Sequence, residues 1–254
     1  MTALRMEWIK LRSLRSTAWA LLAVVGLTVG LGVVSCATSH TDGAGPGDAK
    51  DLVVGLSLVG VYFAQVAAVA FGALAICSEY ATGTIRATFI ADPRRRGVLT
   101  AKAAIVGALV VGAGAAAALA AFWIGQAILH TKGYTSENGY PPASLGDGDT
   151  LRRVAVAAAY PMILAVLSLG IAAIVRNTAA AISVILGVLF VPWIVGQLLP
   201  EHIAHAIEEA TPMAGIAAQE DGAPIGPWVG LGVTVAWAVA ALAVAMWLIA
   251  RRDA

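Results

Sequence analysis

Charge is scarce in this sequence. Asp, Glu, Lys and Arg make up 12% of its 254 residues, where a soluble domain carries about 25%. Hydrophobic residues make up 59%, and a mean hydropathy of +0.84 means more apolar surface than one soluble core can absorb. Six stretches hold no Asp, Glu, Lys or Arg at all: 16–41, 52–78, 103–131, 154–175, 177–200 and 222–250. Each reaches the roughly 20 residues that a helix needs to cross a hydrocarbon core about 30 Å thick. Alternation at period two, which a membrane barrel needs, is absent. The runs are rich in Ala, Leu, Val and Gly, and in lipid such segments satisfy their backbone hydrogen bonds as helices. The expected fold is all-α and integral to the membrane, one transmembrane domain over 1–254, with the lipid bilayer as its solvent. Its spans lie at about 17–36, 53–77, 103–129, 154–175, 178–199 and 228–250 by the length rule for a membrane helix. A net charge of +1 offers no global basic balance toward nucleic acid.

Chemical motifs are also missing. No Gly-Lys pair occurs, so there is no G-x-x-x-x-G-K-[ST] loop and the chain cannot hydrolyse ATP by that route. There is no H-E-x-x-H, and no serine in a G-x-S-x-G context. His202 and His205 with Glu208 and Glu209 have a spacing compatible with a metal. They also form the solvated face of an amphipathic helix, which is the reading adopted, with no metal and no catalytic residue assigned. The spans lack Asp, Glu, Lys and Arg, whereas ion-coupled carriers place ionisable residues inside their membrane segments. A stand-alone carrier or an intramembrane enzyme is the alternative class.

Only two cysteines are present, Cys36 and Cys77. One ends the first span outside and the other ends the second span inside, so a bridge, which needs Cα atoms within about 7 Å, is excluded. Arg-rich residues 1–15 followed by an apolar run and Val33-Val34-Ser35-Cys36 also resemble a lipoprotein signal with a lipidated Cys36, a rival to the first span.

Lys and Arg set the orientation. With the N-terminus inside, the inner side holds twelve of them, among them Arg5, Lys10, Arg12, Arg15, Arg86, Arg94, Arg95, Arg96, Lys102 and Arg176, and the outside only Lys50, Lys132, Arg152 and Arg153. Residues 201–221 carry five acids and no Lys or Arg. Both termini are expected in the cytoplasm. Arg152 and Arg153, at the outer end of the fourth span, fit least well, and snorkelling to headgroups is the account available. Residues 1–16 read as an amphipathic helix on the inner surface, with Leu4, Trp8, Leu11 and Arg15 on one face; a plain basic flank would explain only the charges. Gly26 and Gly30 form a G-x-x-x-G pair that admits a neighbouring helix. Gly107, Gly112, Gly114 and Ala115–Ala118 predict tight packing of the third span, and Pro161 and Pro192 predict kinks in the fourth and fifth. Between the fifth and sixth spans, Ile203, Ala206 and Ile207 alternate with polar residues, and Pro212 breaks that helix before a second short piece at 214–218.

Residues 79–96 are the most informative soluble segment. Ile85 and Phe89 lie one helical turn apart, with Thr82, Arg86 and Asp92 as polar positions. Pro93 disfavours helix at Asp92, and Arg94-Arg95-Arg96 follow at the membrane. This predicts a short cytoplasmic helix held under the bilayer, with an apolar face of the kind a docking element needs.

Glu79, Gly83-Thr84, Pro93, Arg94-Arg95-Arg96 and Lys102 resemble the E-x-x-x-G-T…P-x-x-R…K pattern of permease subunits of type-2 ATP-binding cassette exporters. The basic N-terminal helix, six spans, the turn Arg176, Thr178, Ala179 and the broken outer helices resemble that family over nearly the whole chain, and the Ala/Gly-rich composition resembles an actinobacterial member. The resemblance implies a bacterial plasma-membrane protein whose loop between spans two and three is a coupling helix seated on a separate ATPase subunit, which binds the ATP and Mg while this chain holds no cofactor. It implies coupling residues Glu79, Thr82, Gly83, Thr84, Ile85, Arg86, Phe89 and Asp92, with Glu79 and Arg86 at the cytoplasmic gate. Glu79 can equally serve as an interfacial acid paired with Arg86 or Lys102. A second permease subunit, identical or a paralogue, is expected alongside. The weakly polar residues Gln65, Gln126, Tyr160, Ser168 and Gln197 are the candidates for a path taken by an amphiphilic or hydrophobic substrate, and they are equally compatible with a packed bundle.

Overall fold

The structure is a computed structural model that describes residues 3–13, 15–40, 49–85, 95–140, 142–219, 223 and 225–251. In chain order its helices are α1 (Ala3–Ser13), α2 (Arg15–Thr38), α3 (Ala49–Leu58), α4 (Val61–Thr82), α5 (Arg95–Thr131), α6 (Gly148–Val175), α7 (Thr178–Gly196), α8 (Glu201–Ala210), α9 (Ala214–Ala217) and α10 (Pro227–Arg251), with a 3-10 turn at Ser136–Asn138. No strand occurs among the described residues. Six segments are long and apolar enough to cross a membrane: α2, α3 with α4, α5, α6, α7 and α10. The chain is a multi-pass membrane protein of helical architecture. Pro161 and Pro192 lie inside α6 and α7 respectively.

α6 is the axis of the bundle. Two thirds of its apolar window (67%) is buried by other helices, against 22% in α2, α7 and α10, so those three form the periphery. The approach of α4 to α6 is set at Gly72, where a Cβ would lie 2.0 Å from the Ala165 carbonyl oxygen. Only a residue without a side chain lets two backbones come so near, the usual device of helix association in lipid. Polar groups bind the same interface. The Tyr160 hydroxyl donates to Gln65 Oε1 (3.0 Å), Gln65 Nε2 donates to the Tyr62 carbonyl (2.7 Å), and the Ser168 hydroxyl donates to the Val69 carbonyl (2.6 Å).

The second span differs from the single helix expected over 53–77. It is two helices meeting at an elbow, Val59-Gly60. The elbow presses on α2, for a Cβ on Gly60 would lie 2.2 Å from the Thr28 carbonyl oxygen. The G-x-x-x-G reading of α2 is corrected here. Nothing lies within 4 Å of a Cβ on Gly26 or Gly30, and Gly32 is the α2 glycine against a partner, 2.3 Å from the Ser57 carbonyl oxygen. A G-x-x-x-G spacing marks one face of a helix, and in α2 the neighbouring helices lie on another. In α5, Gly114 is pressed on Ala158, Gly107 is in ordinary contact with Met162 and Val166, and Gly112 meets nothing.

The end of the bundle far from α1 also corrects the reading of Arg152 and Arg153 as snorkelling side chains. Arg153 pairs with Asp51 (3.1 Å), and Arg152 donates to Gln219 Oε1 (2.8 Å) and pairs with Asp149 (3.3 Å). These bonds draw α6 toward the start of α3 and the residues after α9. α9 packs on the bundle: Thr234 of α10 donates to the Pro212 carbonyl (2.9 Å), and Gly215 and Gly230 lie at close approaches between α9 and α10.

Candidate functional site

The α1 end of the bundle holds a buried cluster of two acids and two bases from three helices. α1 contributes Glu7 and Lys10, α4 contributes Glu79 near its last turn, and α5 contributes Lys102 near its start. Lys102 Nζ donates to Glu7 Oε2 and, at 2.9 Å, to Glu79 Oε1. Lys10 Nζ reaches Glu7 Oε1 and Glu79 Oε1, both at 3.1 Å. The Lys102 and Glu7 side chains are each 2% exposed, so neither charge has water to fall back on. Removing a charge of this kind from water costs several kcal/mol, and here it is offset only by the opposite charges in contact. Two positive and two negative groups make the cluster neutral, which makes its burial tolerable.

The local sequence explains the placement. Glu7 and Leu11 are four apart and both buried, while Leu4, Trp8 and Ile9 are exposed. The face that α1 turns to the bundle is therefore Glu7–Leu11, which shares Leu11 with the expected apolar face of Leu4, Trp8, Leu11 and Arg15, while Leu4 and Trp8 stay exposed. Leu11 belongs to the same apolar core as Ile85, Leu99 and Ile249 and borders the same cavity as Lys10, Glu79 and Lys102. Lys10 is held charged: burial works against its ammonium, but Glu79 and Glu7 outweigh it, and its pKa lies above the ordinary lysine value. Among the described residues Glu79 Oε2 is buried without a hydrogen-bond partner. A cavity of about 300 Å³ borders the cluster, lined by Lys10, Ser78, Glu79, Thr82, Thr84 and Lys102 with Leu11 and Ala75.

The turn after α4 is built to leave the helix sharply. Gly83 has φ +70°, and its N–H caps the Tyr80 carbonyl; glycine takes this left-handed conformation without steric cost. The Thr82 hydroxyl donates to the Ser78 carbonyl (2.8 Å) and shares a hydrogen bond with the Thr84 hydroxyl (2.9 Å). Ile85 is 5% exposed and packs into the chain's own core, so it anchors the start of the loop and is not free to face a partner. Arg86, Phe89 and Asp92, with the rest of the expected coupling helix over 86–94, lie outside the described residues. Next to the turn, the Arg176 guanidinium lies 5.2 Å from the centre of the Tyr80 ring, a cation–π distance. Arg176 ends α6 at φ 59°, and Asn177 begins α7 by accepting from the Ala180 N–H (3.0 Å).

Three of the five path candidates are brought together, with Tyr160 bonded to Gln65, but in packed protein and with the other two elsewhere. Gln65, Tyr160 and Ser168 are fully buried in the α4–α6 interface. Gln126 donates to the Ala143 carbonyl (2.9 Å), and Gln197 is exposed just after α7. None of them lines either of the two cavities described. Sequence reasoning missed Glu7 and Lys10. The signal was there: Glu7 is the only acid before Asp42 in a segment otherwise basic, and it precedes Leu11 by one helical turn. Comparison of the chain with protein-family models, with curated proteins and with solved structures finds no match.

Proposed function

We propose that the chain is the permease subunit of a type-2 ATP-binding cassette exporter in a bacterial plasma membrane. In this reading both termini are cytoplasmic, and a separate ATPase subunit supplies the energy to move an amphiphilic or hydrophobic substrate, with a second permease subunit alongside. The observation that carries the reading is the ion cluster. It ties α1 to both helices that frame residues 83–94, so a push on that loop is passed to α4 and α5 together and to α1 through salt bridges, and not dissipated in one flexible connection. The Glu79 position serves both the pattern E-x-x-x-G-T…P-x-x-R…K and this cluster. Glu79 thus acts as a fixed interfacial acid whose partner is Lys102, and Thr82, Gly83, Thr84 and Ile85 set the exit of the loop. Arg86, Phe89 and Asp92 are proposed to meet the ATPase. The absence of a phosphate-binding loop in this sequence requires that the nucleotide be bound elsewhere.

The test is copurification of the detergent-solubilised chain from its own host, with Phe89→Asp in parallel. The expected result is a partner with a phosphate-binding loop and ATPase activity on the native chain, lost in Phe89→Asp. An ATPase that stays with Phe89→Asp would keep the permease and remove the docking assignment. Its absence under conditions that preserve complexes would leave a stand-alone membrane protein.

A further inference from the structure

At the opposite end of the bundle from the ion cluster lies a cavity of about 260 Å³. Its wall is apolar for most of its extent, with Val54, Leu58, Val61 and Val156 among the lining residues and Ile216 of α9 closing one side. The exceptions that carry charge or an amide are Arg153 and Gln219. An apolar cavity of about 150 Å³ takes up benzene, so this one has room for a short run of methylene groups. Its lining comes from α3, the Val59-Gly60 junction and the start of α4 on one side and from α6, Ile216 and Gln219 on the other. Gly55 borders the cavity, is exposed, and has nothing within 4 Å of a Cβ position, so the cavity is open on the α3 side.

The arginines give this cavity a polarity. Arg153 borders it, and Arg152 is hydrogen-bonded to Gln219, which also borders it. Their carboxylate partners stand toward solvent. Asp149 is 83% exposed and Asp51 38% exposed, while the Arg152 and Arg153 side chains are 17% and 11% exposed. Asp149 and Asp51 can return to water when displaced, so a ligand carboxylate or phosphate, able to take a guanidinium in the two-pronged geometry, can exchange for them. An alkyl chain alone would leave the guanidinium end unused, and a hydrophilic anion alone would leave the apolar wall uncovered.

We propose that this cavity binds an anionic amphiphile, with one acyl chain lying between α3, α6 and α9 and the headgroup at Arg153, supported by Arg152. The site stands apart from the exporter reading and does not require it. The same chemistry is offered by a free acyl acid and by an anionic phospholipid of the surrounding bilayer.

The test uses the full chain reconstituted in phosphatidylcholine vesicles, with nitroxide-labelled stearate, phosphatidylglycerol and phosphatidylcholine as probes and electron paramagnetic resonance as the readout of motionally restricted probe. Gly55→Leu puts a side chain into the open edge without a clash and with a better helix former, so it tests the cavity without threatening the fold. The expected result is a restricted component for stearate stronger than for phosphatidylcholine and abolished in Gly55→Leu. Arg153→Gln is expected to weaken it by about tenfold, the loss of roughly one charge-assisted contact, and Arg153→Lys to retain most of it. Phosphatidylglycerol restricted as strongly as stearate assigns the ligand to the bilayer; stearate restricted alone assigns it to a free acyl acid. Restricted stearate unchanged in Gly55→Leu, equal restriction of phosphatidylcholine, or indifference to Arg153→Gln would each overturn the proposal.

Discussion

Lys102 is the residue on which the α1 end depends, because its ammonium touches both carboxylates and has almost no solvent. Lys102→Met keeps much of the side-chain volume and removes the charge. Glu7 is then left 2% exposed with only the half-buried Lys10. Breaking a buried pair from one side costs about 3–5 kcal/mol, and denaturant unfolding in mixed micelles is expected to show a loss of that order. Lys102→Met combined with Glu7→Gln should recover part of it, since the charge left stranded is then gone. Equal stability of native and Lys102→Met protein would show the cluster to be hydrated and weak. Lys10 adds a pH signature. Its pKa is raised above the ordinary 10.5, so its stabilisation is fully present below that value and fades as pH rises through the folded-state pKa. The difference in unfolding midpoint between native protein and Lys10→Met should be flat from neutral pH up to 10.5 and close above it. Glu79 and Lys102 were legible in the sequence because both sit in a spaced pattern around a loop. Glu7 was missed because a buried acid in a basic amphipathic segment contradicts the rule that such helices lie on anionic headgroups; its isolation among basic residues and its position four residues before Leu11 were the signals available.

Among the elements, the helix pairs are fixed by which small residues meet a neighbour. Abundance of glycine and alanine in the spans announced close packing, but spacing alone does not say which face is occupied, since that depends on the order of helices around α6. Gly26 and Gly72 show the difference. A Cβ at 72 would strike the Ala165 carbonyl, whereas one at 26 meets nothing. Gly72→Ala should therefore destabilise by about 1–3 kcal/mol, as overpacking of a tight contact does. Gly26→Ala should be neutral or gain up to about 1 kcal/mol from helix propensity. Parallel unfolding curves of the two variants check this, and a larger loss in Gly26→Ala would reverse the assignment of the α2 face. The elbow between α3 and α4 was invisible in the sequence for a related reason. Residues 52–78 hold no charge and no Pro, and a junction at Gly60, where the chain lies against the α2 backbone, leaves no Pro or polar cluster to announce it.

At the scale of the molecule, the six spans were legible because lipid imposes one length and one composition on each of them, and the charge-free runs of this chain match that length closely. Their assembly was not legible, because every span offers apolar surface and only side-chain detail selects neighbours. Orientation rests on the excess of Lys and Arg around α1, the loop after α4 and the turn after α6, and it is open to a direct test. Cys36 and Cys77 are both buried, so the native chain is expected to be silent to a membrane-impermeant maleimide, and single introduced cysteines report cleanly. Ser136 and Ala81 are exposed at opposite ends of the bundle. Ser136→Cys should label in intact cells, and Ala81→Cys only after the membrane is opened. The reverse pattern would put the ion cluster and the loop after α4 outside the cell, beyond reach of any cytoplasmic ATPase. The exporter reading would then fall, while the acyl-chain site near Arg153, which depends on neither orientation nor ATPase, would stand on its own measurement.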